Sequence, residues 1–186
     1  MADPALTGPE VRTPPAGAAQ AGQSGGKPSL IKLAMILPVA ALVLVLDLVT
    51  KWGASVALRP GRPVPLLGDL LRFTLVHNSG AAFGLFPGGG PAFVVFSIAA
   101  IGLILLLAWR LPTGSRGELV ALGALLGGAL GNLYDRLRSG VVIDFIDVGL
   151  GRLRWPVFNV ADIAVTLGVM ALLLGIARRP ASRSEL

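Results

Sequence analysis

Four long apolar runs constrain this chain more than any other feature of its sequence. They cover roughly residues 31–52, 91–110, 118–137 and 158–178. Each is close to the ~20 residues that a helix needs to cross about 30 Å of hydrocarbon. Charged residues make up only 14% of the 186 residues, whereas a typical soluble domain has about a quarter. We therefore predict an all-α membrane protein with four transmembrane helices.

The composition excludes several classes of function. The chain has no cysteine, so it can form no disulfide framework, thiolate nucleophile or zinc–thiolate site. Its single histidine, His77, cannot build a histidine metal cluster, and we expect neither a metal nor another cofactor. The net charge of +6 comes from Lys and Arg that mostly flank the apolar runs and do not alternate with aromatic residues. We therefore expect no nucleic-acid partner.

The two ends of the chain differ from its apolar part. Residues 1–29 are rich in Pro, Ala, Gly, Ser and Gln and have almost no large apolar side chains, which predicts a disordered tail. Residues 30–179 form the predicted membrane domain, and residues 180–186 form a second tail. Because the first apolar run ends in Asp47 and Lys51 without a small-residue cleavage site, we interpret it as a retained helix and not a removed signal peptide.

The acids of the apolar runs are predicted to gather at one membrane face. Asp47 and Asp135 stand at the ends of the first and third runs, and Asp162 stands near the start of the fourth. Because successive spans alternate in direction, these three positions emerge on the same side. The long connections at about 53–90 and 138–157 emerge there too. This face is therefore the predicted functional side of the protein.

The first connection contains a predicted strand. Residues 70–78 mix β-branched, aromatic and polar residues, and the segments 59–69 and 78–84 on either side have the Pro and Gly content of turns. A small sheet that caps the helices is consistent with this pattern. The basic residues do not decide which face is cytoplasmic, because eight Lys and Arg fall to each side.

Several polar residues have a structural explanation that needs no chemistry. Asp47 and Lys51 are four residues apart and can form an ion pair on one helix. Asp135 and Arg136 can form a local ion pair at a helix end near the headgroups. Asn132 lies one turn inside the third run, where an amide in hydrocarbon needs a hydrogen-bond partner.

Asp144 and Asp162 are harder to explain as a pair than singly. Asn159 can cap the fourth helix with Asp162 in a capping box, and Asp144 can be a solvent-facing loop acid. If the connection folds back over the membrane surface, however, the two carboxylates meet and share one proton. In aspartic proteases the ionised member takes a proton from water and the neutral member polarises the peptide carbonyl. Ser79 has no evident histidine and acid partners for a competing triad.

Five sequence blocks resemble the lipoprotein signal peptidase family, signal peptidase II. In chain order they are DLVTK (47–51), HNSGAAFG (77–84), GNLYDR (131–136), VVIDFIDV (141–148) and FNVADIAV (158–165). The resemblance covers about residues 31–178. It implies a bacterial aspartyl endopeptidase that removes the signal peptide from prolipoproteins and cleaves on the amino side of the diacylglyceryl-modified cysteine.

The resemblance also implies the site residues. Asp144 and Asp162 are the implied catalytic dyad, without a metal. The positions that would line or support the site are Asp47, Lys51, Asn78, Gly80, Asn132, Arg136, Asn159 and Ala161. Asn132 and Asn159 are expected to hydrogen-bond the dyad or the substrate backbone, and Arg136 is expected to hold the surrounding architecture.

The fold implied by the resemblance is four helices with a small extracytoplasmic β-cradle. Both termini would be cytoplasmic, and the active site would lie near the extracytoplasmic surface of the bacterial inner membrane. The implied partners are prolipoprotein substrates and membrane lipid, and we expect a monomer. Two other classes stay open, a proton-coupled transporter and a non-catalytic scaffold. The gathering of acids at one face and the lack of an evident internal repeat argue against the transporter.

Overall fold

Helices cover all four apolar runs. The computed structural model describes residues 30–80, 90–110 and 115–178. Its helices are α1 (Leu30–Ala57), α2 (Gly90–Arg110), α3 (Arg116–Ser139) and α4 (Val160–Ala177). The first helix continues past the predicted end at residue 52, so the start of the predicted connection is helical. The predicted tails at 1–29 and 180–186 lie outside the described residues.

The outer surface of the helices is that of a membrane protein. Three of them, α1, α2 and α3, are long and apolar enough to cross a membrane by length and composition. The fourth, α4, is a shorter apolar helix of 18 residues. Large apolar side chains such as Leu42, Phe96 and Leu173 are exposed on these helices. Such exposure is costly in water but favourable in hydrocarbon.

Helix α3 packs against each of the other three helices, and glycines allow its close approach to α1 and α4. A Cβ atom on Gly127 would lie 2.5 Å from the carbonyl oxygen of Ala40 on α1, and one on Gly128 would lie 2.6 Å from that of Ala161 on α4. Small residues at helix interfaces let the two backbones approach in this way. The buried leucines of α3 fill the remaining space, namely Leu119, Leu122, Leu125 and Leu126.

A four-stranded antiparallel sheet lies at one end of the helices. Its strands are β1 (Val64–Leu67), β2 (Leu71–Asn78), β3 (Val142–Leu150) and β4 (Leu153–Arg154), paired in the order β1-β2-β3-β4. The strand predicted at 70–78 corresponds to β2. The prediction of a turn throughout 59–69 was wrong, because Val64–Leu67 pairs with β2. Pro65 is tolerated there because β1 is an edge strand, where a missing N–H breaks no ladder on the outer side.

Strand β3 returns the chain from α3 over the ends of the helices. Gly140 follows α3 in the left-handed conformation, with φ of 73°, and ends the helix there. Strand β3 then pairs with β2, so that Asp144 lies opposite Val76. A bridge between Ile146 and Phe158 ties β3 to the segment that enters α4. The sheet therefore brings Asp144 toward the N-terminus of α4.

The close packing of α1 on α3 can be tested with Gly127→Ala. The added methyl group would overlap backbone and side-chain atoms of α1, and overpacking of this kind costs about 1–3 kcal/mol of unfolding free energy. Thermal unfolding in detergent should show a lower midpoint for this variant. Gly102→Ala on α2 is the matched control because a Cβ there meets nothing within 4 Å. An equal loss in both variants would contradict this account of the packing.

Candidate active site

Helix α4 begins with a reciprocal cap formed by Asn159 and Asp162. The backbone N–H of Asp162 donates to Oδ1 of Asn159 at 2.9 Å, and the backbone N–H of Asn159 donates to Oδ2 of Asp162 at 3.2 Å. The predicted cap is therefore confirmed. It leaves Oδ1 of Asp162 to accept a 2.8 Å hydrogen bond from Nδ2 of Asn132. The cap fixes the orientation of Asp162 and so does not compete with a role in chemistry.

Asp144 is held by two amide side chains. Its Oδ1 accepts from Nδ2 of Asn159 at 2.7 Å, and its Oδ2 accepts from Nδ2 of Asn78 at 2.9 Å. The backbone N–H of Gly80 donates to Oδ1 of Asn78 at 3.0 Å, which turns the amide donor of Asn78 toward Asp144. Asp144 is only 2% exposed. Hydrogen-bond donors of the protein therefore replace the water that would otherwise solvate this carboxylate.

Burial raises the pKa of Asp144 from 3.8 to about 6. The hydrogen bond from Asn78 acts in the opposite direction, the negative charge of Asp162 raises the pKa further, and Asn159 and Lys51 lower it. Desolvation penalises the charged form of a carboxyl group, whereas hydrogen bonds to the carboxylate favour that form. The net result is an acid that can hold a proton close to neutral pH.

Two asparagines connect the two acids. Nδ2 of Asn159, which donates to Asp144, also lies 3.2 Å from Oδ1 of Asn132, and Asn132 in turn donates to Asp162. Asp144 and Asp162 both line one cavity of about 540 Å³. Its other lining residues include Asn78, Asn132, Arg136, Val142, Trp155, Phe158, Ile163, Val165 and Leu167. The two carboxylates therefore face one space with largely apolar walls.

Lys51 lies at the centre of a second, largely buried group. Its Nζ is 2.7 Å from Oδ2 of Asp47, 2.9 Å from Oδ2 of Asp135 and 3.0 Å from Oδ1 of Asn132. The predicted pair of Asp47 and Lys51 is thus present, but in the protein interior. The predicted pair of Asp135 with Arg136 was wrong. Asp135 faces α1 and the cation there, a contact between helices that spacing along one helix does not reveal.

Arg136 points toward α2. Its Nη1 donates to the backbone carbonyl of Asn132 at 3.3 Å and lies 3.4 Å from Oγ of Ser97. Its guanidinium group also stacks over Phe93 at 5.8 Å from the ring centre. Arg136 therefore connects α2 to α3 while it lines the cavity.

Every position that the resemblance implies belongs to this connected group. Ala161 joins it through its backbone, because its N–H donates to Oδ1 of Asp47 at 2.9 Å. Sequence reasoning did not identify Gly131, where a Cβ would collide with the carboxylate of Asp47. It also did not identify the role of Asp135. Their signal was present in the block GNLYDR, where a glycine and an acid flank Asn132.

Asp147 lies outside this group, although it is near Asp144 in sequence. It accepts from Thr74 at 2.7 Å and pairs with Arg72 at 3.1 Å and with Arg154. Desolvation acts to raise the pKa of Asp147, but the hydrogen bonds from Arg154, Thr74 and Arg72 outweigh it and leave the pKa below the ordinary value. Asp147 therefore stays ionised and fastens β2, β3 and β4 together.

A pair of carboxylates in an apolar cavity at the end of a helix bundle is the arrangement of an aspartic hydrolase of the membrane. In aspartic proteases one acid of such a pair is ionised and the other is neutral, and burial of Asp144 favours its neutral state. Within residues 30–80, 90–110 and 115–178, no group of three or more His, Asp or Glu side chains is arranged to hold a metal ion.

Comparison with known proteins agrees with this class. The family model described as Signal peptidase (SPase) II matches residues 39–178. The lipoprotein signal peptidase of Moorella thermoacetica is 42% identical over 137 residues, which are 73% of this chain and 88% of that protein. The lipoprotein signal peptidase of Mycobacterium avium is 44% identical over 152 residues, which are 77% of this chain and 79% of that protein. The chain belongs to the signal peptidase II family, whose members are aspartic peptidases.

Solved structures agree with the fold as well. A bacterial membrane enzyme solved by the in meso method superposes with a TM-score of 0.70 at 28% identity and covers 80% of this chain and 91% of its own. A second such structure gives a TM-score of 0.66 at 29% identity, with coverage of 76% and 91%. The mostly helical architecture with a small antiparallel sheet is therefore that of a known membrane enzyme.

The raised pKa of Asp144 predicts the pH dependence of cleavage. As the pH rises through about 6, the free protein loses the proton of Asp144. We expect kcat/KM, which reports the free enzyme, to fall on the alkaline side of that value. Because the hydrogen bond from Asn78 lowers the pKa of Asp144, Asn78→Leu should move the alkaline fall in kcat/KM to higher pH. A shift to lower pH would contradict the assignment.

Proposed function

We propose that this protein is the lipoprotein signal peptidase of a bacterial inner membrane. It removes the signal peptide from prolipoproteins by hydrolysis on the amino side of the diacylglyceryl-modified cysteine. The observation that carries the proposal is the meeting of Asp144 and Asp162 in one cavity, linked through Asn159 and Asn132. Membership of the signal peptidase II family supports the same substrate class.

Asp162 is the ionised member of the proposed dyad and Asp144 the neutral one. Asp162 lies in the first turn of α4, where the positive end of the helix dipole favours a negative charge. Asp144 is the more deeply buried acid, and burial raises its pKa to about 6. Paired acid–base catalysis requires one neutral and one ionised acid, and the burial of Asp144 favours its neutral form.

The reaction follows from these two states. Asp162 takes a proton from water while the water oxygen bonds to the scissile carbonyl carbon, and Asp144 gives its proton to the carbonyl oxygen. The tetrahedral diol then collapses: Asp162 passes its proton to the departing amide nitrogen, the C–N bond breaks, and Asp144 recovers its proton from the diol. The products are a signal peptide with a free carboxyl group and a lipidated cysteine with a free amine.

The surrounding residues position the substrate. Asn132 and Asn159 hold the dyad, and Asn132 also lines the cavity, where an extended peptide backbone needs hydrogen-bond partners. Arg136 joins α2 to α3 at the cavity wall. The apolar walls formed by residues such as Ile163 and Leu167 suit lipid chains and small apolar side chains. Anchoring of the substrate in the bilayer supplies part of its orientation.

The proposed topology has α4 as a fourth membrane span. Asp135 near the C-terminus of α3 and Asp162 in the first turn of α4 lie at the end of the bundle where β1–β4 form the proposed extracytoplasmic cradle, and Asp47 of α1 contacts the same region. This end would lie at the outer surface of the inner membrane, with both chain termini in the cytoplasm. The proposed partners are prolipoprotein and membrane lipid, and the proposed active form is the monomer.

The dyad is tested by Asp144→Asn and Asp162→Asn. Each change removes one of the two protonation states, so each should lower kcat on the order of 10³-fold or more. The measurement is cleavage of a diacylglyceryl-modified prolipoprotein in detergent, followed by gel mobility, with membrane insertion checked in parallel. Asp69→Asn is the control, since this acid is exposed in the turn before β2 and pairs with Arg72. Normal turnover in either dyad variant would show that the dyad is misassigned.

A further inference from the structure

Asp135 makes a backbone contact beside one acid of the proposed dyad. Its Oδ2 accepts a hydrogen bond from the N–H of Ile143 at 3.2 Å, and Ile143 directly precedes Asp144 on β3. The side chain of Asp135 is nearly fully buried. Strand β3 is also held by its pairing with β2 and β4, by the bridge to Phe158, and by a hydrogen bond that Nδ2 of Asn159 donates to the carbonyl oxygen of Ile143 at 3.4 Å. Asp135 adds a contact from α3 at the start of the strand.

Asp47 makes the corresponding contact beside the other acid. Its Oδ1 accepts a hydrogen bond from the N–H of Ala161 at 2.9 Å, and Ala161 directly precedes Asp162 on α4. Both Asp47 and Ala161 are fully buried. Each acid of the proposed dyad is therefore preceded by a residue whose backbone N–H donates to a buried carboxylate from a neighbouring helix.

Lys51 joins these two carboxylates to each other. Its Nζ lies between Oδ2 of Asp47 and Oδ2 of Asp135, at 2.7 and 2.9 Å. Its hydrogen bond to Oδ1 of Asn132 extends the same group to Asp162. Burial of three charges is expensive, and apolar replacements of such a group are often no less stable. A role in positioning therefore accounts for this group better than a role in stability alone.

We propose that Asp135 is a positioning residue that fixes the separation of Asp144 and Asp162 through the Lys51 it shares with Asp47. This inference rests on the proposed function of the dyad. Asp135 touches neither acid directly. It acts through the backbone of Ile143 and through Lys51.

Several charged groups surround the dyad and influence its titration. Helix α1 contributes Asp47 and Lys51, and α3 contributes Asp135 and Arg136. Strand β3 and α4 contribute the two dyad acids themselves. Two carboxylates that interact strongly titrate in two separated steps, and the separation shrinks when they move apart. The width of the bell-shaped pH profile therefore reports the distance between them.

The test is Asp135→Ala, which removes the contacts to both Ile143 and Lys51. We expect kcat to fall on the order of 10²-fold, because small misplacements of catalytic groups cost about that much. We also expect the two limbs of the kcat/KM profile to move toward each other. Asp135→Asn keeps an amide oxygen that can accept from Ile143, so its profile should stay closer to that of the wild type.

The matched control is Glu118→Gln, which makes the same change of charge at a buried acid at the other end of α3. Glutamine can still complete the cap with Ser115. A purely structural defect lowers the amount of active protein without moving the limbs of the kcat/KM profile. Only the Asp135 variant should therefore reduce the pH range between the two limbs. Unmoved limbs in Asp135→Ala, or equal movement in Glu118→Gln, would overturn the proposal.

A charge-balanced variant keeps the proposal testable if Asp135→Ala does not fold. The double change Lys51→Met with Asp135→Asn removes one positive and one negative charge and conserves side-chain size. It should also reduce the pH range between the two limbs of the kcat/KM profile, and an unchanged profile would overturn the proposal. Asp144→Asn and Asp162→Asn distinguish an error in the positioning role of Asp135 from an error in the proposed dyad. If both are inactive while the limbs in the Asp135 variants do not move, only the positioning role is wrong.

Discussion

The buried cation Lys51 and its three acceptors form the interaction on which the rest of the structure depends. Lys51 neutralises part of the charge of Asp47 and Asp135 and donates to Asn132, in a bundle whose surroundings are apolar. Removal of one member of such a group leaves an uncompensated buried charge, which is strongly destabilising. The group joins α1 to α3 directly and reaches α4 through Ala161. The elements that carry the two dyad acids are thus fixed relative to one polar centre.

Structural and chemical roles coincide at this site. Asp162 completes a helix cap with Asn159 and still presents its other oxygen to Asn132. Asn159 is at once the cap residue, a donor to Asp144 and a link toward Asp162. A helix cap is rigid, and an acid held by it loses little freedom when it reacts. The cap that explains Asp162 as a structural residue therefore also orients it for its proposed role in hydrolysis.

The sequence was sufficient to predict the helices and most of the polar residues that the structure brings together, but not all of the partners of those residues. Apolar runs of span length and the β-branched segment at 70–78 predicted elements that the structure contains. The edge strand β1 was missed because Pro65 reads as a turn signal, although an edge position tolerates it. The pair of Lys51 with Asp135 was missed because it joins two helices. Helical spacing predicts neighbours within one helix only, and this contact depends on the approach that Gly131 allows.

The central claim is that Asp144 and Asp162 interact as one protonation unit, and infrared difference spectroscopy of the carboxylic C=O stretch tests it most directly. The band of Asp144 can be assigned by its loss in Asp144→Asn. In the wild type it should disappear as the pH rises through about 6. In Asp162→Asn the nearby negative charge is gone, so the Asp144 band should titrate at lower pH. Titration of this band at the same pH in both proteins would contradict the account.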